Sequence, residues 1–187
     1  MKYMGSKARI AKHILPIILK NRKPEQWYVE PFVGGANMID KVDGNRMGND
    51  INKYLIALLQ HLSNGFIPEE ISREKYNSIR EFKSNFPDWL VGYAGVCCSY
   101  SGKWFGGFAG EVNTKGGVSN YQKEAIANIE KQSKNLKHIE ASSMLFVDML
   151  QNTKIQQFNF RKAENVNMYF NDFFYFLFNK IREFPFR

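Results

Sequence analysis

Glu30-Pro31-Phe32-Val33-Gly34-Gly35 places a carboxylate just ahead of a glycine turn. Where such a turn joins a strand to a helix, the glycines let a ligand approach the backbone. The helix N-terminus adds free N–H groups. The group can therefore cradle an adenosine-containing cofactor, or serve only as a tight strand-to-helix turn. Its spacing is not the dinucleotide G-x-G-x-x-G pattern. Asp50 lies 20 residues beyond Glu30, at the end of the next predicted strand. An acid there suits ribose hydroxyls; Asp50-Ile51-Asn52 equally suits a helix N-cap. A third group, Lys2-Tyr3-Met4-Gly5-Ser6-Lys7, sets a glycine-flanked aromatic and a lysine before the first helix. It can reach a ligand or form a basic terminus.

The elements that would position these residues follow from periodicity. Ile10, Ile14, Ile17 and Ile18 have helical spacing, so residues 7–20 read as an amphipathic helix with Pro16 inside it. Trp27-Tyr28-Val29 is β-prone and ends at Glu30-Pro31. A helix is predicted from Ala36 to about Lys41, and a second strand over Arg46 to Asp50. Tyr54, Leu55, Leu58, Leu59 and Leu62 mark a helix that ends at Asn64-Gly65. Strand, glycine turn, helix, strand, helix opens an α/β nucleotide-binding unit.

Residues 72–82 and 88–98 also read as helices. Residues 99–120 do not, because Tyr100, Trp104, Phe105 and Phe108 alternate with glycines. Ser119-Asn120-Tyr121-Gln122 has the form of a capping box, predicting a helix to about Lys137 with Ile126, Ile129 and Leu136 on its apolar side. Met144-Leu145-Phe146-Val147 reads as a buried strand ending at Asp148. The tail from Phe158 to Arg187 is rich in phenylalanine and asparagine, with a helix expected over about 167–182.

The chain has 187 residues, 44% of them apolar, enough for one domain with a core. Its apolar runs fall short of a membrane span of about 20 residues, and nothing resembles a signal peptide, so a cytoplasmic location is expected. Adjacent Cys97 and Cys98 show no metal-ligand spacing and read as buried thiols on a helix. The net charge of +8 suits a polyanionic partner. Seven lysines and arginines, from Lys2 to Lys23, precede the first acid, Glu25.

Taken together, Tyr3-Met4-Gly5-Ser6-Lys7, Glu30 to Gly35 and Asn49-Asp50-Ile51-Asn52 resemble the adenine-specific DNA methyltransferase family. They match its aromatic-x-Gly-x-Lys opening, its cofactor loop and its ribose-binding acid, in the family's order. Trp89 to Gly110, including Ser101-Gly102-Lys103-Trp104-Phe105-Gly106-Gly107, is similar to a phage-type branch. The resemblance covers about residues 1–140.

The resemblance implies an α/β fold: a Rossmann-like class I methyltransferase core with a helical target-recognition insert. The cofactor-binding half would span 1–64, the insert 65–137, and the return to the core with an aromatic tail 138–187. It implies S-adenosylmethionine held by Glu30, Pro31, Phe32, Gly34 and Gly35, with Asp50 on the ribose. Tyr3 and Lys7 would close over the cofactor or adenine pocket. The partner would be double-stranded DNA, met by Lys103, Trp104, Phe105 and Lys115 through phosphate contact and stacking. Core packing is the competing role for Trp104 and Phe105.

The family's Asp-Pro-Pro-Tyr motif, which accepts the hydrogens of a flipped adenine's amine, has no counterpart here. No Pro-Pro occurs in the chain. Asp148-Met149-Leu150-Gln151 is the positional candidate, with Asp148 as acceptor. Few residues follow it, so the core is expected to be incomplete on its C-terminal side. Phe170, Phe173, Phe174, Phe176 and Phe178 would cover the exposed face or mediate self-association. Two functions are thus expected: a DNA adenine-N6 methyltransferase, or a non-catalytic cofactor- or DNA-binding module of the same family.

Overall fold

Helix α1 (Ala8–Ile18) forms where the isoleucine spacing predicts it. Its buried face is Ala11, Ile14 and Leu15, however, while Ile17 is exposed. Ile17 lies off that stripe by about 110° of helix rotation, at about 100° per residue. The structure, a computed structural model, describes residues 1–114, 116–145, 148 and 149. The chain divides into two compact units, Met1–Phe146 and Val147–Arg187.

In the first unit, β1 (Tyr28–Glu30) pairs in parallel with β2 (Arg46–Asn49), Tyr28 opposite Arg46 and Glu30 opposite Gly48. A side chain at Gly48 would meet Val33 Cγ2 at 2.9 Å. The glycine therefore lets the loop after β1 fold down over β2. The α-helix predicted after that loop is replaced by a single 3-10 turn, Ile39–Lys41. Gly34 and Ala36 take positive φ values of 48° and 56°, which break a right-handed helix before it can start.

α2 (Lys53–Ser63) buries Leu55, Leu58, Leu59 and Leu62. α3 (Arg73–Glu81) starts at Ser72, whose hydroxyl accepts the Lys75 N–H. α4 (Asp88–Val96) is buried at every position from Leu90 to Val96. It crosses α2 closely at Gly92, where a Cβ would collide with the Tyr54 carbonyl. Cys97 and Cys98 follow α4 directly and are buried free thiols. Burial pushes Cys97 up to about 12, which leaves it unreactive.

A hairpin that the sequence did not announce, β3 (Glu111–Thr114) with β4 (Gly117–Asn120), pairs antiparallel. Its strands are exposed or half-exposed, so no apolar alternation marks them. α5 (Tyr121–Ser133) follows, four residues shorter than predicted. Its cap is Asn120, which accepts from Gln122 and Lys123, rather than Ser119. Gln122 is buried instead and exchanges two hydrogen bonds with the Ile71 backbone.

β5 (Glu140–Ser142) pairs in parallel with β2, so the sheet order is β1-β2-β5. The strand predicted from Met144 is therefore misplaced. Met144 and Leu145 lie outside any strand, and Leu145 is exposed. The reason is Asn49: its side chain takes both backbone groups of Met144, at 3.2 and 3.1 Å, in place of a ladder. Asp148 is exposed at a helical position. Phe146, Val147, Lys115 and the tail beyond Met149, including the helix expected over 167–182, lie outside the described residues. Among the described residues no helix is long and apolar enough to cross a membrane.

Candidate cofactor site

The three groups singled out in the sequence converge at the carboxyl ends of β1 and β2. Parallel strands place their carboxyl ends on one edge, so the loops after them share it. Asp50 accepts the Gly34 N–H on Oδ2 and the Asn52 N–H on Oδ1, each at 3.0 Å. It thereby ties the glycine turn to the end of β2. The helix-capping role goes to Asn52, which accepts from Tyr54 and Leu55. Asp50 stays partly exposed. Two backbone donors do not exhaust a carboxylate with about four acceptor sites, so each oxygen can still take a ligand hydroxyl.

Tyr3 lies against the glycine turn. A Cβ at Gly34 would meet Tyr3 Cε1 at 2.8 Å, and one at Gly35 would meet Tyr3 Cβ at 2.7 Å. The glycines thus make room for an aromatic ring of this chain. Burial, and then the Asp50 carboxylate, raise the Tyr3 phenol above its ordinary value, so it stays neutral. The segment around Tyr3 is fixed from the other side by Gly102, whose carbonyl accepts the Met4 N–H at 3.1 Å. Gly102 has no space for a Cβ, which would sit 2.7 Å from the Lys2 carbonyl oxygen.

Glu30 is placed differently from expectation. It is only 5% exposed. Oε2 accepts the Ile39 N–H at 3.1 Å, and Oε1 pairs with Lys7 Nζ at 3.0 Å. Lys7 also donates to the Phe32 carbonyl at 2.7 Å. Glu30 and Lys7 therefore brace the loop from below, joining α1, β1 and the 3-10 turn. Burial raises the Glu30 carboxyl above the usual range, and Lys7 works against that. Phe32 and Ile51 stand exposed after β1 and β2, at 51% and 70%. Two apolar side chains in the loops that carry the acceptor Asp50 are of the chemical types that suit an adenosine group.

Three further residues complete the frame. Gln132 of α5 is buried, and its amide donates to the carbonyls of Gly35 and Ala36, both at 3.1 Å, and to Asp40 at 3.0 Å. Asn49 donates to the Pro31 carbonyl at 3.2 Å and accepts from Ser142. Arg46 donates to the carbonyls of Asn135 and Lys137, fastening the turn after α5 to β2. Only Asn49 was legible, as the neighbour of Asp50.

The residues expected to face DNA divide. Lys103 is exposed. Trp104 is 37% exposed but stacks on Tyr54 at 5.9 Å and fills the space left by Gly95. Phe105 packs against Tyr76 and Trp104, with Lys83 5.1 Å above its ring. Phe108 packs on Tyr76 and carries Arg73 at 4.8 Å. Trp104 and Phe105 thus have packing roles, with a single lysine, Lys83, over the Phe105 ring. Asp148 belongs to the second compact unit. The strand nearest before it, β5, lies on the side of β2 away from β1.

Residues 3–94 match the model of the family described as D12 class N6 adenine-specific DNA methyltransferase. The match contains Tyr3, Lys7, the glycine turn and Asp50, and runs into α4. Comparison with curated proteins gives no match.

Proposed function

We propose, from the premise that residues 3–94 are a domain of the D12 class N6 adenine-specific DNA methyltransferase family, that this chain binds S-adenosylmethionine at the carboxyl edge of β1 and β2. The observation that carries the reading is Asp50, partly exposed and locked to the Gly34 N–H at 3.0 Å. Asp50 would hold the ribose hydroxyls, with Phe32 and Ile51 flanking the adenine. Tyr3 would cover the glycine turn, while Lys7 and Glu30 keep it in shape. The cofactor, when bound, supplies an activated methyl group. The chain's own residues bind and orient it. Cross-linking of methyl-labelled cofactor under ultraviolet light tests this. Labelling should be competed by S-adenosylhomocysteine and not by ATP; competition by both would reduce the site to a general adenosine pocket.

DNA is the substrate class that the family implies, and the net charge of +8 favours it. Lys103, next in the chain to the partly exposed Trp104, is our proposed contact, and Lys115, outside the described residues, is proposed from the sequence alone.

A second reading concerns turnover, and the sheet order motivates it. If the three parallel strands are the first half of a Rossmann-like core, the strand outside β2 is the third in the order 3-2-1-4. β5 occupies that place. The family's catalytic acid follows the fourth strand, which would pair with β1. Asp148 follows the third, and no Pro-Pro occurs in the chain. We therefore favour a cofactor- and DNA-binding module that does not transfer methyl groups by itself. Incubation with tritiated cofactor and adenine-containing duplex DNA separates the readings. Background incorporation supports the module. Robust incorporation, lost in Asp148→Ala, would restore the enzyme and its acid.

A further inference from the structure

The glycine turn has one support that the cofactor reading does not use. Gln132 sits on α5, 97 residues from Gly35, and is 5% exposed. Its Nε2 faces four oxygens: the Gly35 and Ala36 carbonyls, Asp40 Oδ2 and, at 3.5 Å, Asn37 Oδ1. Its Oε1 accepts from the Met1 amino group. Ala36 is fully buried and holds a left-handed φ of 56°, which an alanine adopts only when its surroundings impose it. The Ala36 carbonyl accepts from Asp40 N as well as from Gln132.

We propose that Gln132 is a positioning residue: its amide fixes the left-handed turn at Ala36, and so sets the glycine loop for cofactor. The turn that follows α5 is fastened to β2 through Arg46. The loop geometry is therefore set by the helix that ends the DNA-facing segment. The inference rests on the proposed cofactor site for its functional consequence, but the turn can be measured without any ligand.

The test compares Gln132→Met with Ile129→Val in the full chain. Methionine keeps the length of glutamine and removes its hydrogen bonds. Ile129 is a fully buried residue of α5, so its truncation controls for loosening of the helix. Hydrogen exchange is followed at the amides of Gly34 and Ala36, which are bonded to Asp50 and to the Val33 carbonyl. In Gln132→Met these amides should exchange at least about tenfold faster, with Ile129→Val within about twofold of wild type. S-adenosylhomocysteine affinity should weaken about tenfold in Gln132→Met alone. Adding Ala36→Gly should recover part of that affinity, because glycine holds a left-handed φ without help. Unchanged loop exchange, or equal acceleration in both variants, would overturn the positioning role. A wild-type chain that binds no S-adenosylhomocysteine would overturn the cofactor reading instead, with the exchange data still deciding on Gln132.

Discussion

The carboxylate of Asp50 accepts the Gly34 N–H at 3.0 Å, across 16 positions of chain. One side chain therefore fixes both the acid proposed for the ribose and the turn proposed for the rest of the cofactor. Tyr3 lies over the same turn and shares the field of the same carboxylate. The consequences are local enough to be separated by substitution.

Tyr3 and Gly34 should be energetically coupled. Gly34→Ala brings a left-handed alanine and a clash with the Tyr3 ring, together costing about 2 kcal/mol. In a Tyr3→Ala background only the backbone part should remain, about 1 kcal/mol. Denaturant unfolding of the double-mutant cycle measures the difference. Strict additivity would show that the ring does not rest on the turn.

Lys7 and Glu30 predict a pH dependence. Burial raises the Glu30 carboxyl in the folded chain. The folded state then binds a proton more readily than the unfolded one. Glu30's contribution to stability is therefore full below the ordinary carboxylate range and lost as pH rises through the folded value. Glu30→Gln should flatten the fall in stability as pH rises above the ordinary carboxylate range. Lys7→Met removes the main group that lowers the Glu30 value. Its cost should grow with pH, to about 2 kcal/mol at the upper end, since a buried carboxylate is left unpaired. A Lys7→Met penalty independent of pH would place the lysine's role elsewhere.

Much of this arrangement was legible in the sequence, and the rest was not, for definite reasons. The leucine stripe of α2 and the helix read over 72–82 are local patterns, and both formed. Gly34 and Asp50 were legible as neighbours because consecutive parallel strands put the loops after them on one edge. The helix after the glycine turn failed because two left-handed residues intervene, and nothing in Ala36 signals a positive φ. The apolar pattern at Met144 suggested a strand, but Asn49, 95 residues away, takes the backbone groups that a ladder would use. Gln132 was invisible for the same reason: its four acceptors lie more than 90 positions away.

Lys103 and Trp104, neighbours in sequence, should part company on substitution. Lys103 is exposed, so Lys103→Ala should leave the unfolding midpoint unchanged. It should weaken duplex binding and lower the salt slope by about 1. Trp104→Ala empties the space beside Gly95 and breaks the stack on Tyr54, costing about 2 kcal/mol of stability. Fluorescence anisotropy with labelled duplex at several salt concentrations, beside thermal unfolding, reads both. An unchanged salt slope for Lys103→Ala would move the DNA surface away from this loop.

Titration calorimetry with S-adenosylhomocysteine, on wild type and Asp50→Ala, measures whether Asp50 holds the cofactor. The variant loses the acceptor proposed for the ribose and the Gly34 link together, so its affinity should fall by about a hundredfold or more. It should still unfold cooperatively, about 1–2 kcal/mol less stable than wild type. Equal affinity in a folded Asp50→Ala chain would contradict the site.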